Sequence, residues 1–150
     1  MDAVTYPETK VVDFIEGNVI PVKLLFDAKP TADEYNVKWT PTLITVNGLG
    51  KEHHRTVGFL PPEELIPSVL LGMGKVYFDQ ELVNEALETF EKIVEEYPKS
   101  DSTAEALYLK GVSEYKKTHD AKPLKLAYEL LQAGYPSSVW TKRAYPYKLL

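Results

Sequence analysis

Apolar positions along the chain follow two regimes that change over near residue 70. Before it, short apolar runs are punctuated by Pro and Gly; after it, long segments rich in Glu, Lys, Leu and Ala repeat with a 3.6-residue period. In the first regime, "PETKVVDFIEGN" sets Val11, Val12 and Ile15 on one face of a short helix, with Pro7 in its first turn and Gly17-Asn18 as its stop. "VIPVKLLFD" follows as a β-branched, apolar run of strand length over 20–26, and "TADEYNV" as a helical turn. "TLITV" and "KEHHRTVGF" flank the turn "NGLG", which predicts an antiparallel hairpin pairing Leu43 to Val46 with His53 to Val57. Pro61-Pro62-Glu63-Glu64 opens a helix, because Pro fits the first helical turn and two carboxylates complement the positive end of the dipole.

From residue 67 the pattern predicts helix after helix, five in all to residue 148. Leu70, Gly74, Tyr77, Ala86, Phe90 and Pro98 carry the large, small, aromatic, small, aromatic and terminating-proline pattern of a helical hairpin repeat. At these offsets the segment resembles a tetratricopeptide repeat. Gly74 and Ala86 are expected to face each other and let the two helices approach, with Tyr77 and Phe90 filling the groove. A looser copy follows: "EEYPKSDSTAEAL" recurs as "AGYPSSVWTKRAY", and Gly111 answers Gly74. Pro98 to Pro136 spans 38 residues, where the repeat averages about 34, so an insertion is expected at "THDAKP" between the second pair of helices. "SSVWTKRAYPYKLL" is read as a capping helix from about Ser138, with Leu126, Leu130, Leu131 and Trp140 as core.

Composition narrows the chemistry. With 150 residues, 44% hydrophobic and 26% charged, the chain has an ordinary globular balance. The net charge of -5 and the lack of any basic cluster beyond Lys116-Lys117 and Lys142-Arg143 remove the usual footprint of nucleic-acid binding. No membrane span and no signal peptide is legible, so a cytoplasmic location is expected. Zero cysteines exclude disulfides, thiolate nucleophiles and Cys-based zinc sites. His53-His54 is read as an exposed pair on a strand, whose side chains point to opposite faces and cannot share a metal ion. His119-Asp120 is read as a capping element, and the Glu pairs as solvated helix faces. Neither a catalytic constellation, a metal nor a cofactor is predicted.

The residues "MDAVTYPETKVVDFIEGNVIPVKLLFD", "VKWTPTLITVNGLGKEHHRTVGF" and "PPEEL" together resemble the thioredoxin-like superfamily, specifically bacterial members in which an active-site CxxC segment runs into a helix. The fold class this implies is α/β, an incomplete thioredoxin-like fold over residues 1–72. An all-α tetratricopeptide-like helical repeat with a C-terminal capping helix follows over 73–150. The resemblance implies that Pro41 is a cis proline, that Thr40 offers backbone hydrogen bonds to a bound peptide, and that Trp39 flanks it. Ordinary packing of Trp39 under the hairpin is the other reading of that residue.

In that family the central strand and both cysteines precede the position matching Met1. The chain is therefore expected to be a redox-inactive, protein-binding adaptor, since no other side chain replaces the attacking thiolate. The alternative is a fragment of a thiol-disulfide oxidoreductase whose N-terminal strand and CxxC motif are missing. Either way the strands at 20–26 and 42–47 are left with open edges; a homodimer through those edges is the favoured remedy, the alternatives being direct pairing of 20–26 with 42–47 or an N-terminal half that stays partly disordered beside the repeats.

Overall fold

The structure, a computed structural model describing residues 1–150, is mostly helical with one small sheet. Its elements are α1 (Thr9–Asn18), α2 (Thr31–Glu34), β1 (Thr42–Val46), β2 (Glu52–Val57), α3 (Pro62–Asp79), α4 (Val83–Glu96), α5 (Thr103–Thr118), α6 (Lys122–Gly134) and α7 (Val139–Ala144), closed by a 3-10 turn over Tyr145–Leu149.

In α1 the side chain fully withdrawn from water is Val11; Val12 sits at the solvent boundary, so the buried face is narrower than three residues. β1 and β2 form a two-stranded antiparallel sheet around a tight loop. There the Asn47 side-chain oxygen accepts from the amides of Leu49 and Lys51, each at 3.0 Å, and Gly50 takes a φ of 77° that favours glycine. The register runs Thr42↔Val57 to Thr45↔His54 and then jumps to Val46↔Glu52, leaving His53 unopposed as a bulge.

The expected strand over 20–26 does not form. Residues 19–25 have no regular structure, and none of the backbone groups of Ile20 to Leu24 makes a hydrogen bond within the chain. An apolar run becomes a strand only where a neighbouring strand takes its amides and carbonyls, and here none does. What the structure supports is a helical protein carrying a hairpin; the thioredoxin-like assignment stays with the sequence resemblance.

α3 is a single 18-residue helix that runs without a break through Pro67 and Gly72, from the hairpin into the repeat. The helices then alternate in two layers. α3, α5 and α7 touch one another in turn, whereas the backbones of α4 and α6 do not approach each other, so the array curves with α3, α5 and α7 on its inner side. Gly74 lies against the ring of Phe90 rather than facing Ala86, and Gly111 lies against Ala127, each glycine meeting the helix sixteen residues on. Ala86 is itself fully buried in the same core.

The connection between α5 and α6 is three residues, 119–121, as short as that between α3 and α4 at 80–82. "THDAKP" is therefore no insertion: Lys122 and Pro123 open α6, and the turns that follow α4 and α6 recur at 38 residues. That period is visible in the hydrogen bonds. The Thr103 hydroxyl donates to the Tyr97 carbonyl, and 38 residues on the Thr141 hydroxyl donates to the Tyr135 carbonyl at 2.6 Å. Ser100 Oγ accepts from the amide of Ser102, and Ser138 Oγ accepts from that of Trp140, at 3.1 and 3.2 Å.

α7 thus stands where the first helix of a third repeat would begin. Pro146 then turns the chain into the 3-10 segment, and the array ends there. In α6 the buried residues are Leu124, Ala127, Tyr128 and Leu131, an i, i+3, i+4, i+7 stripe; Leu126 and Leu130 fall on the opposite face and are about half exposed, not core.

Candidate functional site

Groups able to hold a ligand meet at a turn at one end of the hairpin and in a cleft where the hairpin meets the inner helices.

The turn contains the three residues singled out from the sequence. Its shape follows from local bonds. The Thr42 hydroxyl donates to the Trp39 carbonyl at 2.6 Å, the Gly58 amide donates to the Pro41 carbonyl at 2.8 Å, and the Thr40–Pro41 peptide bond is cis. Thr40 is left with an amide and a carbonyl that make no hydrogen bond within the chain. Trp39 is 67% exposed, so it does not pack under the hairpin. Because Gly58 is paired to Pro41, exposed Val57 and Phe59 belong to the same end of the hairpin as exposed Trp39 and Pro41. The result is an apolar rim around one unpaired peptide group.

The cleft has a volume of about 200 Å³ and lies between β2 (His54, Thr56), α3 (Glu64, Ser68, Leu71) and the start of α5 (Ser102, Glu105). Sequence alternation alone places His53 and His54 on opposite faces of an exposed strand. The bulge overturns that, because an unopposed residue twists the strand so that both rings reach α3. His53 Nδ1 meets the Asp79 carboxylate at 2.7 Å with its side chain almost wholly buried, while His54 reaches Ser68 and Lys75. The residue that reverses the expectation is the extra one in β2, and no residue type in "KEHHRTVGF" announces it.

His54 is held neutral. Burial, reinforced by the Lys75 cation and only partly opposed by Glu52, pushes its pKa down from 6.5 to about 4. Lys75 Nζ stands 3.2 Å from His54 Nδ1 and also pairs with Glu105. An ammonium only donates, so Nδ1 must present its lone pair and the ring proton sits on Nε2. Nε2 lies 3.3 Å from Ser68 Oγ and 3.4 Å from Thr56 Oγ1, and the two hydroxyls are 2.9 Å apart.

A ring nitrogen that already carries its proton cannot accept the one on Ser68. Despite the Ser–His pairing, this is not an activated nucleophile. Both hydroxyl oxygens accept from Nε2–H and one hydroxyl donates to the other, so one hydroxyl proton is left over to point out of the triangle. Glu64 on the opposite wall accepts from the Ser100 hydroxyl at 2.7 Å and from the Asp101 amide, fixing the loop that leads into α5. The cleft therefore acts chiefly as a polar joint between hairpin and repeats.

No group of three or more His, Cys, Asp or Glu side chains is arranged to hold a metal ion, and no helix is long and apolar enough to cross a membrane. A tetratricopeptide repeat family model matches residues 68–100, the second part of α3 with α4 and its closing turn. No curated protein and no solved structure matches the chain.

Proposed function

We propose that the chain is a protein-binding adaptor with no redox chemistry of its own, in which the turn Trp39-Thr40-Pro41 captures an extended segment of another protein and the helical repeats carry it. The observation behind this reading is the free Thr40 peptide group beside an exposed indole. An extended partner segment can donate to the Thr40 carbonyl and accept from its amide, as an added strand does, while an apolar side chain lies on Trp39. The repeat match over 68–100 is consistent with protein binding. The absence of cysteine excludes a thiolate mechanism in this chain.

The test is photo-crosslinking from an ultraviolet-activated side chain placed at Thr40, in the full chain and in cells. The adaptor reading expects a discrete adduct that weakens severalfold in the Trp39→Ala variant, with the circular dichroism spectrum unchanged. Adducts that are diffuse, or that do not respond to Trp39→Ala, would overturn it.

A second reading is favoured by one observation, the apolar segment 20–26 whose backbone makes almost no hydrogen bond within the chain. It would belong to a thiol-disulfide oxidoreductase whose cysteines lie outside these residues. In-frame coding sequence upstream either encodes an apolar strand followed by CxxC or does not, and only the former sustains that reading.

A further inference from the structure

Ser102 stands at the N-cap of α5, where a serine hydroxyl ordinarily bonds an amide of the first turn, and it does not do so. Ser100 serves that turn instead, its Oγ accepting from the Ser102 amide at 3.1 Å. Ser102 is only 8% exposed, and its hydroxyl makes no hydrogen bond within the chain. A buried hydroxyl without a partner is costly, and the open space this one meets is the cleft that it lines with His54, Thr56 and Ser68. The cleft measures about 200 Å³. One water needs roughly 10–15 Å³, so there is room for an organic group.

The charge around that hydroxyl is one-sided. Glu64, Asp101 and Glu105 line the cleft, and the single cation paired with any of them is Lys75, which meets one oxygen of Glu105. The N-terminus of α5 adds about half a positive charge. His54 adds none near neutral pH, because burial keeps it deprotonated. Carboxylates therefore still outnumber the positive groups. They are not grouped to hold a metal ion, so the complement is an organic cation that brings its own N–H donors.

We propose that the cleft binds a guanidinium on an aliphatic stem, donating to Ser102 Oγ and to the Glu64 and Glu105 carboxylates. An ammonium is a point charge, whereas the planar guanidinium spreads its donors in a fork and can reach acceptors on separate elements, here α3 and the start of α5. Leu60 and Leu71 on the cleft wall suit the methylene stem. The bonds inside the joint stay as they are, since His54, Ser68 and Thr56 satisfy one another and Glu64 keeps its bonds to Ser100 and Asp101. The site lies outside the Trp39-Thr40-Pro41 turn and stands whether or not that turn captures a partner.

The test is an NMR titration of the isotope-labelled full chain with Nα-acetyl-arginine amide, near neutral pH and at low ionic strength. Saturable shifts are expected around 54–56, 64–68 and 101–105, and they should weaken as salt is added. Nα-acetyl-citrulline amide has the same shape without the charge and should produce none. Ser102→Ala removes a hydroxyl that holds nothing within the chain, so the melting temperature should stay as it is while binding of the arginine probe weakens severalfold. Agmatine, titrated alongside, separates the sources: tighter binding of the capped arginine assigns the site to a side chain of a partner protein, tighter binding of agmatine to a free small molecule, and either result keeps the guanidinium site. No saturable shift with either guanidinium would overturn the proposal. So would equal binding of the citrulline probe, or a Ser102→Ala variant that binds arginine as well as the wild type.

Discussion

The ring of Phe90 rests directly on the backbone of Gly74: a Cβ there would collide with Cε1 and lie 2.9 Å from Cδ1 and 3.0 Å from Cζ. Phe90 is fully buried, so its ring has no free volume to retreat into. Gly74→Ala is expected to destabilise the protein by about 1–3 kcal/mol through overpacking, even though alanine is the better helix former by about 1 kcal/mol. Chemical denaturation measures this directly. In a Phe90→Leu background the added methyl should cost less, because a smaller side chain opens the site; an equal loss in both backgrounds would mean that the two residues are not coupled.

The paired threonines make a second expectation. Thr103 and Thr141 are both buried and each donates to a tyrosine carbonyl six residues earlier, one in each repeat. Thr→Val keeps the shape and removes the donor; each carbonyl keeps the amide of Ser100 or Ser138 at 3.0 Å, so the loss is that of one hydrogen bond, about 0.5–1.5 kcal/mol. Thr103→Val should show the full loss in a thermal melt, since it joins α4 to α5 in the middle of the array. Thr141→Val should cost less and should loosen α7 selectively, an effect that appears as faster hydrogen exchange confined to residues after 135.

His54 links stability to pH. Its folded pKa lies below its ordinary 6.5, at about 4, so between those values the unfolded chain binds a proton that the folded one refuses. The contribution is fully present above about pH 6.5 and is lost progressively as pH falls towards 4. Partial solvent contact keeps it to about 2 kcal/mol. Glu52, held down by its hydrogen bonds to Arg55, adds a loss in the same direction only at lower pH. Denaturation midpoints measured between pH 7 and 4 should fall in the wild type and fall less in His54→Gln, which keeps a polar group but does not titrate. Parallel profiles would remove His54 from the account.

Much of the architecture is written locally and could be read from the chain. Pro61-Pro62-Glu63-Glu64 starts α3, Asn47 with Gly50 closes the hairpin, and Gly74, Phe90 and Pro98 mark the first helical pair, because in each case a short-range geometric need selects the residue type. The misreadings have a common origin in contacts between distant segments. Whether "VIPVKLLFD" becomes a strand depends on a neighbour that its own residues do not specify. The faces of His53 and His54 depend on a one-residue bulge that alternation does not encode. Of the candidate site, the sequence pointed to Trp39, Thr40 and Pro41 as residues. Their exposure, and the unpaired peptide group of Thr40, follow from bonds made by Thr42 and Gly58 that only the folded chain displays.

Besides the polar contacts of His53, His54 and Thr56, the hairpin meets the helices in one close backbone approach, which gives the last expectation. A Cβ at Gly72 would strike the side chain of Thr45, coming within 2.7 Å of its Cβ and 3.0 Å of its Cγ2 as well as meeting its hydroxyl. Because Thr45 Cβ is fixed to the strand backbone, rotating the side chain cannot relieve the clash, so in Gly72→Ala the sheet must lift from α3. That movement also pulls His54 and Thr56 away from Ser68 and Lys75, dismantling the polar joint. Gly72→Ala should therefore speed hydrogen exchange across 42–57 by an order of magnitude or more while α5 and α6 keep their protection, since Gly111 and Ala127 hold those helices independently. Adding Thr45→Ala removes the hydroxyl and methyl but not the Cβ, so it should restore part of the protection and not all. Full restoration would show that the side chain alone made the contact; none would show that the hairpin is held elsewhere.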